Sequence, residues 1–433
     1  MSSSTHKFGG ASVRDANAIR RVGALLVEHL DSQGSVVIVV SAMGKTTNAL
    51  EAVWEADASE RRGLWDTCVA SHVEVAQALG LPPEVSGRLV ERMESCWHEA
   101  YGSTADGAVQ DKAVAYDALV AAGELASTTL VHAWLQAIGE SAVWWDVRQT
   151  ISTHGPHRFA RVDESTLHLA GQSLREALLN DSGRQIVVTQ GFIGRHEDGK
   201  TSTLGREGSD YSAALLAVAT GSKEVTIWKD VPGMMNADPK RYPDAQTVPF
   251  VDHAEALELS YYGASVIHPR TVKPLKKWGL PLWVRSFEDP SGPCTQIDSF
   301  PGVVPEMPMF IWKDNQTWME VYTNDGSFLA EDHLTALFGA LDRAGIHVRL
   351  MQQSATHFGV LADRDDASLD ALKAMLESSF ILDVLHDMTL LTVRHGDAEI
   401  VGALTANCEV VVEQRSGETW RRVLAEGKDG ENG

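Results

Sequence analysis

The sequence predicts an α/β chain: an open, mainly parallel sheet with helices on both faces, followed by a smaller α+β region. Three observations predict it. Strand-like and helix-like patterns alternate over roughly the first 300 residues, the pattern of a parallel sheet with covering helices. Val36 to Val40 is a continuous apolar, β-branched run, the mark of a strand buried on both faces. Beyond residue 316 the order becomes strand, helix, two strands, helix, strand. At 433 residues the chain exceeds one small core and fits two or three domains.

The elements follow in order. Lys7-Phe8 ends a short first strand, ahead of Gly9, Gly10 and a helix whose apolar face carries Ala18, Ile19, Val22, Leu25 and Leu26. The run to Val40 stops at Ser41-Ala42-Met43-Gly44. Helical patterns cover 111–136 and 164–179, and strand patterns cover 185–190 and 224–228, each strand leading into a glycine-containing loop. Ligands of such sheets bind beyond the carboxyl ends of the strands, so the loops after Val40, Gln190 and Trp228 are expected to converge on one site. Prolines and glycines crowd 289–308 and mark a boundary. Beyond it, strand 317–323, helix 329–344, hairpin 347–352 with 357–362, helix 368–379 and strand 390–394 make a ferredoxin-like unit. Helix 399–405 with strands 409–414 and 419–424 reads as a partial unit, too short for a second copy. The expected domains are 1–292, 307–396 and an abbreviated 397–425, with 426–433 a disordered tail or cut linker.

The 37 basic and 59 acidic residues give a formal charge of −22, which argues against nucleic acid or an anionic membrane as partner. Cys68, Cys96, Cys294 and Cys408 form no C-x-x-C pair and suggest neither a zinc site nor a disulfide framework; no metal ligands are assigned. The N-terminus lacks the apolar core of a signal peptide, and no apolar run reaches the roughly 18 residues of a bilayer span. A cytoplasmic protein is expected.

Several motifs carry chemistry. Thr201 to Tyr211 gathers small hydroxyl residues, two glycines, Arg206 and Asp210 in a turn that opens an apolar helix. Such a turn offers backbone N–H groups to an anion, and arginine adds a planar fork for a carboxylate or phosphate. The plainer alternative is a helix cap. Lys7 before Gly9-Gly10 brings a point charge beside a backbone that a phosphate can approach closely. Gly44-Lys45-Thr46 imitates the end of a P-loop, but Val39 stands where its first glycine belongs. Glu124 lies in a strongly apolar helix and, if buried, needs a cation such as a substrate ammonium. Lys229-Asp230-Val231-Pro232-Gly233 and Asp238-Pro239-Lys240 could hold a nucleotide or simply turn. His268 before Pro269 reads as a structural hydrogen bonder.

Taken together these pieces resemble aspartate kinase, of the amino-acid kinase superfamily. The matching signatures are KFGGASV from Lys7, SAMGKTTN from Ser41, GELAS from Gly123, GFIG from Gly191, TLGREGSDYSAALLA from Thr203, KDVPGMMNADPK from Lys229 and YGASVIHP from Tyr262. The C-terminal region resembles the ACT regulatory domains of that family.

The resemblance implies transfer of the ATP γ-phosphoryl group to the β-carboxylate of L-aspartate, with Mg²⁺, at the start of lysine, threonine and methionine synthesis. It implies catalytic roles for Lys7 and Asp210, and an aspartate pocket of Ser41, Thr47, Glu124, Phe192, Arg206 and Ser209. Glu124 would take the ammonium and Arg206 the α-carboxylate. Lys7, Gly9, Gly10, Lys229, Asp230, Met235, Lys240, Ser265 and Val266 would surround the nucleotide. It also implies a homodimer or dimer of dimers and an effector, lysine or threonine, at the ACT region. Five positions depart from the commoner pattern. Glu207 replaces a glycine and would be tolerated only with its side chain in solvent; Ser265 replaces a lysine near ATP; Ala11 replaces a threonine; Cys294 replaces a glycine. Arg349 stands where lysine-sensitive members carry an aspartate, and would repel a lysine ε-ammonium. A relative acting on glutamate or N-acetylglutamate, and a non-catalytic amino-acid-binding regulator, are the other readings.

Overall fold

The computed structural model describes residues 3–29, 34–102, 111–179, 185–263, 266–300, 305 and 307–426. The chain falls into two compact units. The first comprises 1–234, 247–260 and 265–304; the second comprises 235–246, 261–264 and 305–433.

The first unit is built on an eight-stranded sheet. Its strands are β1 (Ser3–Phe8), β2 (Ser35–Val40), β3 (Ala142–Trp145), β4 (Ile186–Gln190), β5 (Val225–Lys229), β6 (Phe250–Asp252), β7 (Leu282–Ser286) and β8 (Cys294–Asp298). The spatial order is β6-β8-β7-β5-β1-β2-β4-β3. Only the β7–β8 pair is antiparallel. Every residue of β2 and β4 is buried, which a strand covered on both faces requires. From β1 the chain steps to β2 on one side and returns later to β5 on the other. This reversal of strand order opens a crevice at the carboxyl end of β1, where ligands of such sheets bind.

Helix Ala122–Ala137 packs with Ala16–His29 on one side of the sheet. Helix Gly208–Thr220 lies against β1 and β2 and packs with Leu167–Ala177 and Pro269–Trp278. The expected helix 111–136 is two helices, Lys112–Val120 and Ala122–Ala137, the first capped by Asp111 accepting from the amides of Ala113 and Val114. By length and composition alone Lys112–Ala137 could cross a bilayer, but Asp117 and Glu124 interrupt it and 89% of its most apolar window is packed inside the protein. Its hydrophobicity serves the core. The expected turn 201–203 is instead a buried strand in a second, four-stranded sheet with Arg161–Val162, Ser152–His154 and Ile193–His196. These strands hold two to four residues each, too few for a period-2 pattern to show.

The second unit holds a six-stranded sheet. Its strands are β9 (Met309–Thr323), β10 (Val348–Gln353), β11 (His357–Asp363), β12 (Phe380–Arg394), β13 (Cys408–Ser416) and β14 (Thr419–Glu426), in the order β10-β11-β9-β12-β14-β13. The ferredoxin-like unit is present, with helices Glu331–Arg343 and Asp366–Leu376, but its outer strands run to 15 residues. Each of these strands carries an irregularity with a left-handed residue, Asn315 at φ 55° and Asp387 at φ 58°. Asn and Asp bear that conformation more easily than other side chains, and a bulge bends a strand.

Beyond the bend the sequence reading is corrected. The first half of β9 pairs with the second half of β12, which pairs with β14, which pairs with β13. Four strands thus stand in the order of a second ferredoxin-like unit with one helix, Ala398–Leu404. Its remaining strand comes from the far side of the inserted first unit, so a linear reading of 397–425 could not find it. The sheet curls until its ends meet. Gln414 Nε2 donates to the Met351 carbonyl at 2.6 Å, and the Arg421 guanidinium donates to the Arg349 carbonyl at 2.6 Å. The tail residues 427–433 lie outside the described residues.

Side-chain alternation along β9 divides two cores. Met319 and Val321 face Leu337, Leu341 and Leu372 of the helices, while Trp318 faces Leu350, Leu361, Leu390 and Val423 inside the curl. Trp318→Ala is expected to cost about 3–5 kcal/mol, as for other buried aromatics. Hydrogen exchange should then show β10 and β11 losing protection. Unchanged protection would mean that Trp318 does not hold the curl.

Candidate active site

A cleft of about 490 Å³ opens at the carboxyl ends of the central strands. Lys7 enters it from β1, Ser41 and Thr47 from the segment after β2, and Phe192 from the loop after β4. Glu124 comes from helix Ala122–Ala137, and Arg206, Ser209 and Asp210 from the start of helix Gly208–Thr220. Of the three loops expected to converge, those after Val40 and Gln190 line the cleft, while the segment after Trp228 is represented only by Lys229, which reaches Asp210. Gly191 permits the approach, because a Cβ there would lie 2.5 Å from Ser209 Cβ.

At the floor of the cleft lies a buried ion cluster. Asp210 Oδ1 is 2.6 Å from Lys7 Nζ, and Oδ2 is 3.2 Å from Lys229 Nζ. The Asp210 side chain is 1% exposed and neither oxygen meets a neutral hydrogen-bond donor. Burial by itself would raise the Asp210 carboxyl; the ammoniums of Lys7 and then Lys229 outweigh it and hold the group well below its ordinary value. For Lys229 burial works downward, and Asp210 and then Glu207 more than compensate. The cluster sets the ammoniums of Lys7 and Lys229 against the Asp210 carboxylate, with Glu207 a second, more distant partner of Lys229.

Glu124 has no such compensation. It is 3% exposed; Oε1 accepts the Ala42 amide at 3.1 Å, and Oε2 has no partner. Burial pushes its carboxyl up to about 8, the Ala42 bond only partly opposing this. Glu124 lines the cleft, and a buried carboxylate with one oxygen unpartnered among the described residues calls for a cation.

Arg206 is exposed at the rim. Glu207 stands in the left-handed region at φ 57°, which strains a non-glycine residue by on the order of 1 kcal/mol. Its side chain corrects the expectation of a solvent-facing group. It lines the cleft with Oε2 3.7 Å from Lys229 Nζ. The attraction of the lysine explains how an acidic residue is retained beside an anion site.

Four lining residues have no motif in the sequence reading: Glu51, Tyr116, Arg158 and Phe159. Tyr116 donates to Glu51 Oε1 at 2.7 Å, and the Arg158 guanidinium lies 4.0 Å over the Tyr116 ring. Only Glu51 had a signal, being four residues after Thr47 on one helix. Arg158 is held at φ 65° in a loop, which no local pattern announces.

Of the expected nucleotide residues, Gly9 and Gly10 follow β1, Lys229 ends β5 and Asp230 is exposed next to it. Val266 is half-buried in the turn before helix Pro269–Trp278. Met235 and Lys240 belong to the second unit, and Ser265 lies outside the described residues. His268 caps helix Pro269–Trp278, its Nδ1 accepting the Arg270 amide at 3.2 Å, in keeping with a structural role. In the second unit Arg349 is not a free charge. Its guanidinium pairs with Asp363, which Lys313 also meets at 3.0 Å.

The model of the Amino acid kinase family matches residues 6–286. Lysine-sensitive aspartokinase 3 of Escherichia coli is 32% identical over 364 residues, 82% of this chain and 77% of that protein. Aspartokinase 1, chloroplastic, of Arabidopsis thaliana is 30% identical over 82% of this chain and 63% of its own length, so this chain is shorter than either. E. coli aspartokinase III in complex with lysine and aspartate superposes with a TM-score of 0.80 at 28% identity, covering 98% of this chain and 96% of that one. Its complex with aspartate and ADP gives 0.79 at 27% identity over the same shares. The chain belongs to the amino acid kinase family, among its aspartokinases.

Proposed function

We propose that the chain phosphorylates the β-carboxylate of L-aspartate with ATP, giving 4-phospho-L-aspartate and ADP, the first step toward lysine, threonine and methionine. The observation that carries the reading is the pairing, in one cleft, of a cation-rich floor with an unpartnered buried carboxylate. An aspartate substrate has the complementary charges: Glu124 takes the ammonium, Arg206 the α-carboxylate, and Ser41, Thr47, Phe192 and Ser209 shape the pocket between them. N-acetylglutamate lacks the ammonium that Glu124 needs.

A β-carboxylate oxygen attacks the γ-phosphorus while the bond from that phosphorus to the β-phosphate oxygen breaks. A carboxylate is ionised at pH 7 and needs no general base, so catalysis reduces to positioning and charge neutralisation. Lys7 meets the charge on the transferring group, and Asp210 fixes Lys7. Gly9 and Gly10 follow Lys7 and are the proposed backbone contacts of the phosphates; at Gly10 a Cβ would lie 2.7 Å from the Gly44 carbonyl, so a glycine is needed there to bring this turn against the segment after β2. Lys229, Lys240, Met235, Ser265 and Val266 complete the proposed nucleotide contacts. Mg²⁺ would enter on the nucleotide and neutralise its phosphate oxygens, with Asp230 the carboxylate suited to it. A cytoplasmic homodimer or dimer of dimers formed through the second unit accompanies this reading. An amino-acid effector is proposed there too. Two cations already on Asp363 disfavour a lysine side chain at that spot.

Hydroxylamine trapping with ATP and Mg²⁺ is expected to give acyl phosphate with aspartate and none with glutamate or N-acetylglutamate. No product with aspartate would reject the assignment. Lys7→Ala should lower kcat at least about 100-fold, the scale of losing one preorganised charge, while aspartate still binds; a fall under tenfold would remove Lys7 from the chemistry. Glu124 gives a pH signature. Its folded value of about 8 exceeds its ordinary 4.5, so the unliganded protein loses stability as pH rises from about 4.5 to 8. Only the carboxylate pairs with an ammonium, so aspartate binding at pH 7 should expel a proton, seen as binding heats that depend on the buffer. Glu124→Gln should abolish that dependence and weaken aspartate.

A further inference from the structure

Beside the cleft, loop 155–159 meets the hairpin of Ile193–His196 and Thr201–Thr203. Here His157, His196 and Asp198 turn ligand atoms toward one point, all within 4.8 Å of one another. We propose that these side chains form a site for a divalent transition-metal ion of the zinc type, bound by His157 Nε2, His196 Nδ1 and an Asp198 carboxylate oxygen.

The geometry supports a metal in three ways. First, Asp198 Oδ2 lies 3.2 Å from His157 Nε2 and Oδ1 lies 3.0 Å from His196 Nδ1, so the carboxylate spans the two rings, and the ligand atoms lie within 4.8 Å of one another. Ligands bound at about 2.0–2.2 Å in a tetrahedron stand roughly 3.3–3.6 Å apart, a spacing of the same size. Second, the other ring nitrogen of each histidine has an acceptor. His157 Nδ1 lies 3.0 Å from Asp117 Oδ2, and His196 Nε2 lies 2.6 Å from the Gly155 carbonyl. Those bonds place a proton on the outward nitrogen and leave the inward one as an acceptor, the support that metal-bound histidines regularly have; in His196 that nitrogen accepts the Asp198 amide at 3.3 Å, a long bond that an ion would replace. Third, both histidines are buried while Asp198 is 38% exposed, which leaves one side open for entry and a water ligand. Two nitrogen donors select a zinc-like ion over Mg²⁺, which prefers oxygen.

The site has a structural consequence for the cleft. Asp117, fully buried, also accepts the Arg158 amide at 3.0 Å and the Thr203 hydroxyl at 2.6 Å. Arg158 and Thr203 both line the cleft. The ion would pin the loop to the hairpin and so fix that wall.

The test is zinc binding, which does not depend on the kinase assignment. Metal-free protein at pH 7.5 competes with a chromophoric chelator for Zn²⁺, and Co²⁺ is added separately for its visible spectrum. The wild type should take one tight equivalent that a tenfold excess of Mg²⁺ leaves in place, and Co²⁺ should give a tetrahedral spectrum. Asp198→Asn and His196→Ala should each lose that equivalent, with fold verified by circular dichroism; His98→Ala, on an exposed helix elsewhere, should keep it. Asp198→Asn is conservative and exposed, so it remains informative if His196→Ala fails to fold. Wild type binding no equivalent, or Asp198→Asn retaining it, would overturn the site.

Discussion

The structure turns on one buried carboxylate held between two lysines. Asp210 sits in the first turn of a helix whose residues are nearly all buried, Lys7 near the end of the central strand, and Lys229 at the end of its neighbour. Removing one partner of such a group leaves an uncompensated buried charge, at a cost of about 3–5 kcal/mol. The strand order, the helix and the loops are therefore tied to one electrostatic point. Lys229 also explains why Glu207 turns inward rather than to solvent.

The opposite case stands across the cleft. Glu124 is as deeply buried as Asp210 but has one amide for a partner, and its carboxyl moves up where that of Asp210 moves down. Identical chemistry in two environments gives two roles. A carboxylate between two ammoniums keeps its charge although buried; an unpartnered one is left in need of a cation. Under the proposed function, this contrast selects a ligand carrying ammonium and carboxylate together before any contact with the nucleotide is considered.

Much of this was legible in the sequence because it is local. Val36 to Val40 could only be a buried strand, and the residues just beyond such strands had to meet. Lys7, Glu124, Arg206 and Asp210 each sit inside a short motif, so their arrival in one cleft followed from the fold class. What stayed hidden is what depends on distant chain or on side-chain direction. The second ferredoxin-like unit borrows its last strand from residues 309–313, on the far side of an inserted unit, so no window over 397–425 contains it. Arg158 reaches the cleft through a left-handed loop residue. Glu207 reads as a poor neighbour for an anion until Lys229 is seen beside it.

The most direct measurement is the steady-state kinetics of Asp210→Asn with both substrates varied. The substitution keeps size but removes the charge that holds Lys7 and leaves one acceptor oxygen where there were two. Folding is checked first by circular dichroism. The account predicts a kcat at least about 100-fold lower with the KM for aspartate within a few-fold of wild type, because Asp210 acts on the lysines and not on the substrate. A kcat within tenfold of wild type would contradict it, and the ion cluster would then be structural only.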